Sequence, residues 1–205
     1  MANIKLQRWG CTFENLAHIA YIPMQGTRGE TVTAAAKRVE WYGRAPSCIC
    51  NAELFNMSTY APASGCPDYI PQTLGVAFPD NKSVLLSYAN NTHAKDWIGA
   101  YPMLVQNGLN VVTAIPKGLE GRVARTALAF NDKQVAICFV KRFDAMTLKE
   151  FADEIAKAGF HTAINLDGGG STACITPFMA YDQYRPVRGK IAIWTKDGIV
   201  NKLMR

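Results

Sequence analysis

The chain has little of what marks the commonest function classes. In 205 residues no apolar run approaches the roughly 18 needed to cross a bilayer, so no membrane span is expected. The opening MANIKLQRWGCTFENL has no continuous apolar stretch of the kind a secretory signal carries, and a cytoplasmic location is expected. No run of consecutive Lys or Arg forms a nucleic-acid arm. The formal charge of +6 is spread along the sequence, which suits an anionic small molecule or ordinary solvated surface rather than nucleic acid. Histidine is scarce (His18, His93 and His161) and no CxxC pair occurs, so a zinc site is not supported. No G-x-x-x-x-G-K-[ST] occurs and no G-x-G-x-x-G opens a helix, which excludes ATPase and dinucleotide-binding readings.

What is present describes a globular protein. Apolar residues make up 49% and charged residues 19%, enough to build a real core. The length suggests one domain over residues 1–205. The six cysteines, Cys11, Cys48, Cys50, Cys66, Cys138 and Cys174, are expected as buried, reduced thiols. A disulfide from Cys66 to Cys48 or Cys50 is left open.

Apolar spacing predicts a helix over 31–42, with Val32, Ala35, Ala36 and Val39 on one stripe and Gly43 as its stop. Residues 47–50 read as a short buried strand, 57–72 as a surface loop, 83–88 as a strand and 90–100 as polar loop. Two apolar runs, 126–130 and 134–140, flank Asn131-Asp132-Lys133 as a hairpin. The best-marked helix is 147–158, opened by the capping box Thr147-x-x-Glu150 and closed by Gly159. A strand at 162–166 follows at once, a late strand at 189–194, and a short tail at 198–203. The order does not alternate strictly, and it predicts an α+β layered domain with a mixed β-sheet flanked by helices.

One segment dominates. Residues 163–173 read AINLDGGGSTA: a buried strand ends in Asp167, then passes through Gly168, Gly169 and Gly170 into Ser171 and Thr172. Three glycines cost more backbone entropy than any alternative. Such a stretch lets backbone approach a ligand, with amide groups available to an anion. A tight turn between strands is the structural alternative. The carboxylate at the end of a strand, beside hydroxyls and glycine amides, suits an oxygen-rich ligand such as a sugar phosphate.

Asn165-Leu166-Asp167-Gly168-Gly169-Gly170-Ser171-Thr172 resembles the signature of the phosphodiester glycosidase family. Weaker similarities run in matched order from about residue 30 to 195: Asn51-Ala52-Glu53-Leu54-Phe55 where the family has an Asn-Gly-Gly-Phe-Phe-like segment, Leu104-Val105-Gln106-Asn107-Gly108, Arg125-Thr126-Ala127, and Arg185-Pro186-Val187. The departure is Ala52-Glu53 in place of two glycines.

The resemblance implies cleavage between an anomeric carbon and a phosphate oxygen, in a sugar phosphodiester or a nucleotide-derived molecule. A phosphate monoester leaves readily, so cations that hold it and a group at the oxocarbenium-like carbon matter most. On that footing Arg125 and Arg185 bind the phosphate, and Asp167 acts at the sugar as base, nucleophile or hydroxyl ligand. Glu53 is a candidate second carboxylate. Asn51, Asn107, Ser171 and Thr172 orient sugar or phosphate oxygens, with the glycine backbone of 168–170 against the ligand. No cofactor is implied, and one Asp beside glycine amides is thin support for a divalent cation. The bland alternatives are an Asx-type cap for Asp167, ion-pair or surface roles for the arginines, and turn roles for Asn51 and Asn107, the latter in a favoured Asn-Gly hairpin pair. A protein that sequesters an anionic sugar phosphate or nucleotide without turnover is the competing function.

Overall fold

A computed structural model describes residues 6–52, 54, 74–88 and 97–203. Glu53, Cys66, His93 and the 57–72 segment lie outside the described residues. The described strands come in order as β1 (Gln7–Thr12), β2 (Leu16–Pro23), β3 (Cys48–Asn51), β4 (Leu74–Ala77), β5 (Leu85–Tyr88), β6 (Trp97–Gly99), β7 (Met103–Gln106), β8 (Leu109–Asn110), β9 (Arg125–Phe130), β10 (Gln134–Val140), β11 (Thr162–Asn165), β12 (Ala173–Thr176), β13 (Met179–Asp182), β14 (Gly189–Thr195) and β15 (Asn201–Lys202). Helix α1 (Val32–Arg38) follows β2, and α2 (Leu148–Lys157) precedes β11.

They form a seven-stranded sheet, β15-β1-β10-β9-β11-β7-β8, a five-stranded sheet, β13-β12-β3-β14-β2, and a small sheet, β5-β4-β6. Every ladder between these strands is antiparallel. The expected mixed sheet is therefore corrected. Neighbouring strands join by hairpins or by connections that return antiparallel, and the molecule is mostly sheet, with two α-helices among the described residues.

The strands alternate faces, and this sorts the core into layers. Ile137, Phe139, Leu128 and Ile164 of the large sheet pack against Ile19, Cys48, Cys50, Cys174, Ile191 and Ile193 of the five-stranded sheet. On the outer face of the large sheet, Ala127, Ala129, Ala136 and Cys138 meet Leu148, Phe151, Ala152 and Ile155 of α2. On the outer face of the other sheet, Ile49, Ala173, Ala192 and Trp194 meet Val32 and Ala35 of α1. The order is helix, sheet, sheet, helix. Each large apolar side chain taken fully out of water contributes about 1.5–3 kcal/mol.

The hairpin β9–β10 and helix α2 match their sequence signals. Thr147 and Glu150 close the capping box reciprocally. Asn131 Oδ1 accepts from the N–H groups of Lys133 and Gln134 at the hairpin turn. The first helix is shorter than expected: it ends at Arg38, and Val39 is already extended. Trp41 is instead drawn onto His18, stacked with its ring nearly parallel and 4.9 Å between ring centres, beside Trp194. Tyr42 and Gly43 both take positive φ in the tight Trp41–Arg44 turn, so Gly43 marks that turn and not a helix end. Residues 97–99, expected as loop, form β6 because Ile98 is buried in the core beside Val76 of β4.

Among the described residues Cys11, Cys48, Cys50, Cys138 and Cys174 are free thiols, all buried. Burial pushes Cys138 and Cys11 up to about 12. Cys48 and Cys174 lie sulfur to sulfur at 3.6 Å on neighbouring strands. No helix among the described residues is long and apolar enough to cross a membrane.

Candidate functional site

The site forms where the two sheets meet at the end of β11. That strand sits between β9 and β7, and its pairing with β9 sets Asn165 opposite Ala127. The pairing continues past the strand: Leu166 N–H donates to Thr126 O, and Gly169 N–H to Ala124 O. Between them Asp167 N–H donates across to Ala52 O, just beyond β3 of the other sheet. The Asp167 carbonyl accepts from Asn51 Nδ2 at 2.6 Å. Both sheets therefore grip the backbone that carries this carboxylate. On the side-chain side, Gly168 N–H donates to Asp167 Oδ1 at 2.9 Å. This contact to the next residue, which is not the i to i+2 bond of an Asx-type cap, helps to hold the carboxylate on the wall of a cavity.

That cavity, about 280 Å³, is lined by Asp167, Gly168, Gly169, Arg125, Arg185 and Glu120, with Leu54 and Leu119 on its apolar side. Arg125 opens β9 and is only 2% exposed. Its guanidinium donates to three main-chain oxygens, those of Met146 (3.2 Å), Leu119 (2.9 Å) and Gly121 (2.8 Å). Among the described residues no carboxylate pairs with it. Burial pushes it down to about 10, so it remains a cation at neutral pH. Arg185 lies across the glycine turn: a Cβ on Gly170 would stand 2.5 Å from its Nη2. Gly170 is glycine so that this guanidinium can lie flat over the loop.

The three glycines do different work. A Cβ on Gly168 would stand 2.9 Å from the main-chain oxygen of Ala124. Gly169 has φ +56 and opens a single 3-10 turn, Gly169–Ser171. The amide cradle expected from the sequence is mostly occupied by the protein itself. Gly168 and Gly169 donate as described, Ser171 N–H to Gly168 O and Thr172 N–H to Gly169 O. Only the Gly170 amide has no recorded acceptor among the described residues.

The remaining expected residues divide. Asn51 is buried and turned inward: its Oδ1 accepts from Thr126 Oγ1 and Ala173 N–H, both at 3.0 Å. Its amide braces the Asp167 peptide, and it is not among the residues that line this cavity. Ser171 and Thr172 are buried and are not on the wall of this cavity or of the one beside it. Asn107, at φ +51, and Gly108, at φ +79, form the β7–β8 turn, and Gly108 N–H donates to His161 O at the start of β11. Asn107 thus lies at the opposite end of β11 from Asp167. Glu53 lies outside the described residues. Its neighbours Ala52 and Leu54 do reach the site, through the Asp167 amide and the cavity wall.

Sequence reading missed Glu120 and the loop that carries it. Gly118 (φ +88) and Gly121 (φ +75) bracket Leu119-Glu120, and Gly118 N–H donates to Glu120 Oε2 at 2.6 Å. That pair of glycines four residues before Arg125 was the available signal. A second cavity of about 450 Å³ adjoins the first, sharing Val123, Gly169 and Arg185, and adds Arg122, Arg142 and Gln183. Among the described residues no group of three or more His, Cys, Asp or Glu side chains is placed to hold a metal ion.

Comparison with known proteins agrees with this fold. The family model described as phosphodiester glycosidase matches residues 71–199. The catalytic domain of zebrafish N-acetylglucosamine-1-phosphodiester alpha-N-acetylglucosaminidase, solved in a form auto-inhibited by its pro-peptide, superposes with a TM-score of 0.65 at 16% identity, over 86% of this chain and 72% of that one. A hypothetical protein from Synechocystis superposes with a TM-score of 0.62 at 14% identity, over 86% of this chain and 57% of that one. No curated protein sequence matches the chain. The matched span takes in Arg125, the Asp167 turn and Arg185, all three on one cavity wall, and the chain belongs to the phosphodiester glycosidase family.

Proposed function

We propose that the protein is a hydrolase that cleaves the bond between a sugar's anomeric carbon and a phosphate oxygen in a glycosyl phosphodiester. The observation that carries this reading is the pairing, on one small cavity, of the Asp167 carboxylate with a buried arginine that lacks a carboxylate partner among the described residues. A buried cation without a counter-charge is costly, and a phosphodiester anion offsets that cost when it binds. Arg125 is held rigidly by three carbonyls, so little ordering is needed on binding. Arg185 adds a second guanidinium from the glycine-turn side.

The reaction asks for little beyond this. Water adds its oxygen to the anomeric carbon as the carbon–oxygen bond to phosphate breaks. The phosphate keeps the bonding electron pair and leaves as a monoester. Two cations on that phosphate lower the energy of the departing charge. Asp167 faces the positive charge that develops at the sugar, and Glu120, on the same wall, is a second carboxylate available to take the water's proton.

The test is turnover. The protein is incubated with a panel of sugar 1-phosphodiesters and nucleotide sugars, and release of free sugar and phosphate monoester is followed by NMR. Release supports the reading. Tight binding with no product contradicts it and leaves a sequestering protein.

A further inference from the structure

The cavity beside the proposed site has a distinct chemistry. Among the described residues its wall includes three arginines, Arg122, Arg142 and Arg185, with Gln183 and no Asp or Glu. Arg122 uses Nη1 on both oxygens of Glu150, which anchors it; among the described residues its other N–H groups have no partner. Arg142 is exposed, and among the described residues its guanidinium has no hydrogen-bond or ion-pair partner; only its main-chain N–H is engaged, donating to the Tyr181 hydroxyl. Gln183 is fixed by a hydrogen bond from Nε2 to Gly169 O, on the turn that separates the two cavities. Arg185 belongs to both walls. Like charges gathered on one concave surface repel one another unless an anion lies between them.

Two exposed rings are carried by residues next in sequence to those of this wall. Phe143, next to Arg142, is 99% exposed, and Tyr184, between Gln183 and Arg185, is 72% exposed. Tyr184 holds positive φ, a conformation rare for a bulky residue, and its N–H is tied to Asp182 Oδ1 at 2.7 Å. A turn so fixed presents the ring to solvent rather than to the core.

We infer that this second cavity receives the leaving group, and that the leaving group is a nucleoside diphosphate. The inference rests on the glycosyl-phosphodiester reading of the first cavity. The phosphate bonded to the sugar lies at Arg125 and Arg185, the next phosphate among Arg185, Arg122 and Arg142, and the base against Phe143 or Tyr184. Guanidinium groups take phosphate oxygens two at a time, and aromatic faces stack any base. In the reaction the anomeric carbon–oxygen bond breaks, the water oxygen joins the sugar, and the diphosphate departs with the electron pair while the water's remaining proton passes to a carboxylate or to solvent.

Calorimetric titration tests this with ADP, UDP, AMP, UMP, inorganic pyrophosphate and inorganic phosphate, on wild type, Arg142→Ala, the Arg122→Ala/Arg142→Ala double variant, and Phe143→Ala/Tyr184→Ala. All these side chains are surface-exposed, and circular dichroism confirms that each variant folds. At least one nucleoside diphosphate is expected to bind tenfold or more tighter than its monophosphate and than pyrophosphate. Loss of the arginines removes the first preference, and loss of the rings the second. Diphosphates that bind no tighter than monophosphates, or a preference that survives the arginine double variant, overturn the inference. Retained turnover of simple sugar phosphodiesters then shows that only the second cavity was misassigned, whereas absence of turnover with every sugar phosphodiester and nucleotide sugar shows that the reading beneath it has failed.

Discussion

The side-chain amide of Asn51 donates to the main-chain oxygen of Asp167 at 2.6 Å, while its carbonyl oxygen accepts from Thr126 and Ala173. One buried side chain therefore ties the end of β3 to β9, to β12 and to the peptide that carries the site carboxylate. Asn51→Ala leaves those partners buried without it, at about 1–3 kcal/mol for each group left unsatisfied. A clear drop in the denaturant midpoint is expected, with kcat falling more than KM rises, because the carboxylate loses its support and not its charge.

The glycines separate into kinds that alanine substitution distinguishes. At Gly10 a Cβ would stand 2.0 Å from the main-chain oxygen of Val135, inside the β1–β10 ladder, and Gly10→Ala is expected not to accumulate as folded protein. At Gly168 the obstacle is the Ala124 main-chain oxygen at 2.9 Å, and overpacking of this kind costs about 1–3 kcal/mol. At Gly170 the obstacle is the movable end of Arg185. Gly170→Ala is expected to melt within a few degrees of wild type yet raise KM several-fold. Thermal melts alongside initial rates check all three.

Arg125→Lys keeps a positive charge but not the fork that serves three carbonyls at once. An ammonium has three donors on a flexible stem. It is expected to lose stability by roughly 1–3 kcal/mol and to weaken phosphate-analogue binding at least tenfold, read by chemical denaturation and by titration with a phosphate monoester. An unchanged affinity would place the phosphate elsewhere.

Away from the site, Glu30 holds two cations: Lys190 Nζ at 2.9 Å, wholly buried, and Arg38 Nε at 2.6 Å. The hydrogen bond from Arg38 is the largest cause holding the Glu30 carboxyl below its usual range, with Lys190 adding to it. A depressed folded-state value means that the pair stabilises fully above the unfolded value of about 4.3, and that this contribution is lost as pH falls through the lower folded value. Wild type is therefore expected to lose part of its stability below about pH 4. Glu30→Gln, which leaves the Lys190 charge buried, is expected to lose about 3–5 kcal/mol at neutral pH and to show a flatter acid limb.

Local signals carried much of the fold. The capping box at Thr147 and the Asn131 turn are decided by side chains within a few residues of the backbone they serve, so periodicity and turn chemistry found α2 and the β9–β10 hairpin. The end of α1 is decided from a distance, by His18 and Trp194 drawing Trp41 out of the helical path. Nothing in residues 31–42 announces that. The antiparallel order of the sheets likewise depends on pairings far apart in sequence, such as β1 with β10. The Asp167 turn is conspicuous in the sequence because a strand end followed by three glycines is chemically unusual, whereas Arg125 and Arg185 stand out only through the family resemblance; the structure puts all three on one cavity. The inward turn of Asn51 is not legible, since a buried amide that braces a carboxylate and one that touches a ligand look alike in sequence. The Asn107-Gly108 turn likewise carries no sign of which end of the sheet it closes.

The central claim is that hydrolysis breaks the carbon–oxygen bond at the sugar and depends on Asp167. Turnover in ¹⁸O-labelled water, with wild type and Asp167→Asn compared at matched folding by circular dichroism, tests both halves together. The account predicts label in the released sugar and none in the phosphate, with at least a hundredfold lower rate for Asp167→Asn, about 2.7 kcal/mol or more of transition-state stabilisation. Label in the phosphate, or an undiminished rate in the variant, would contradict it.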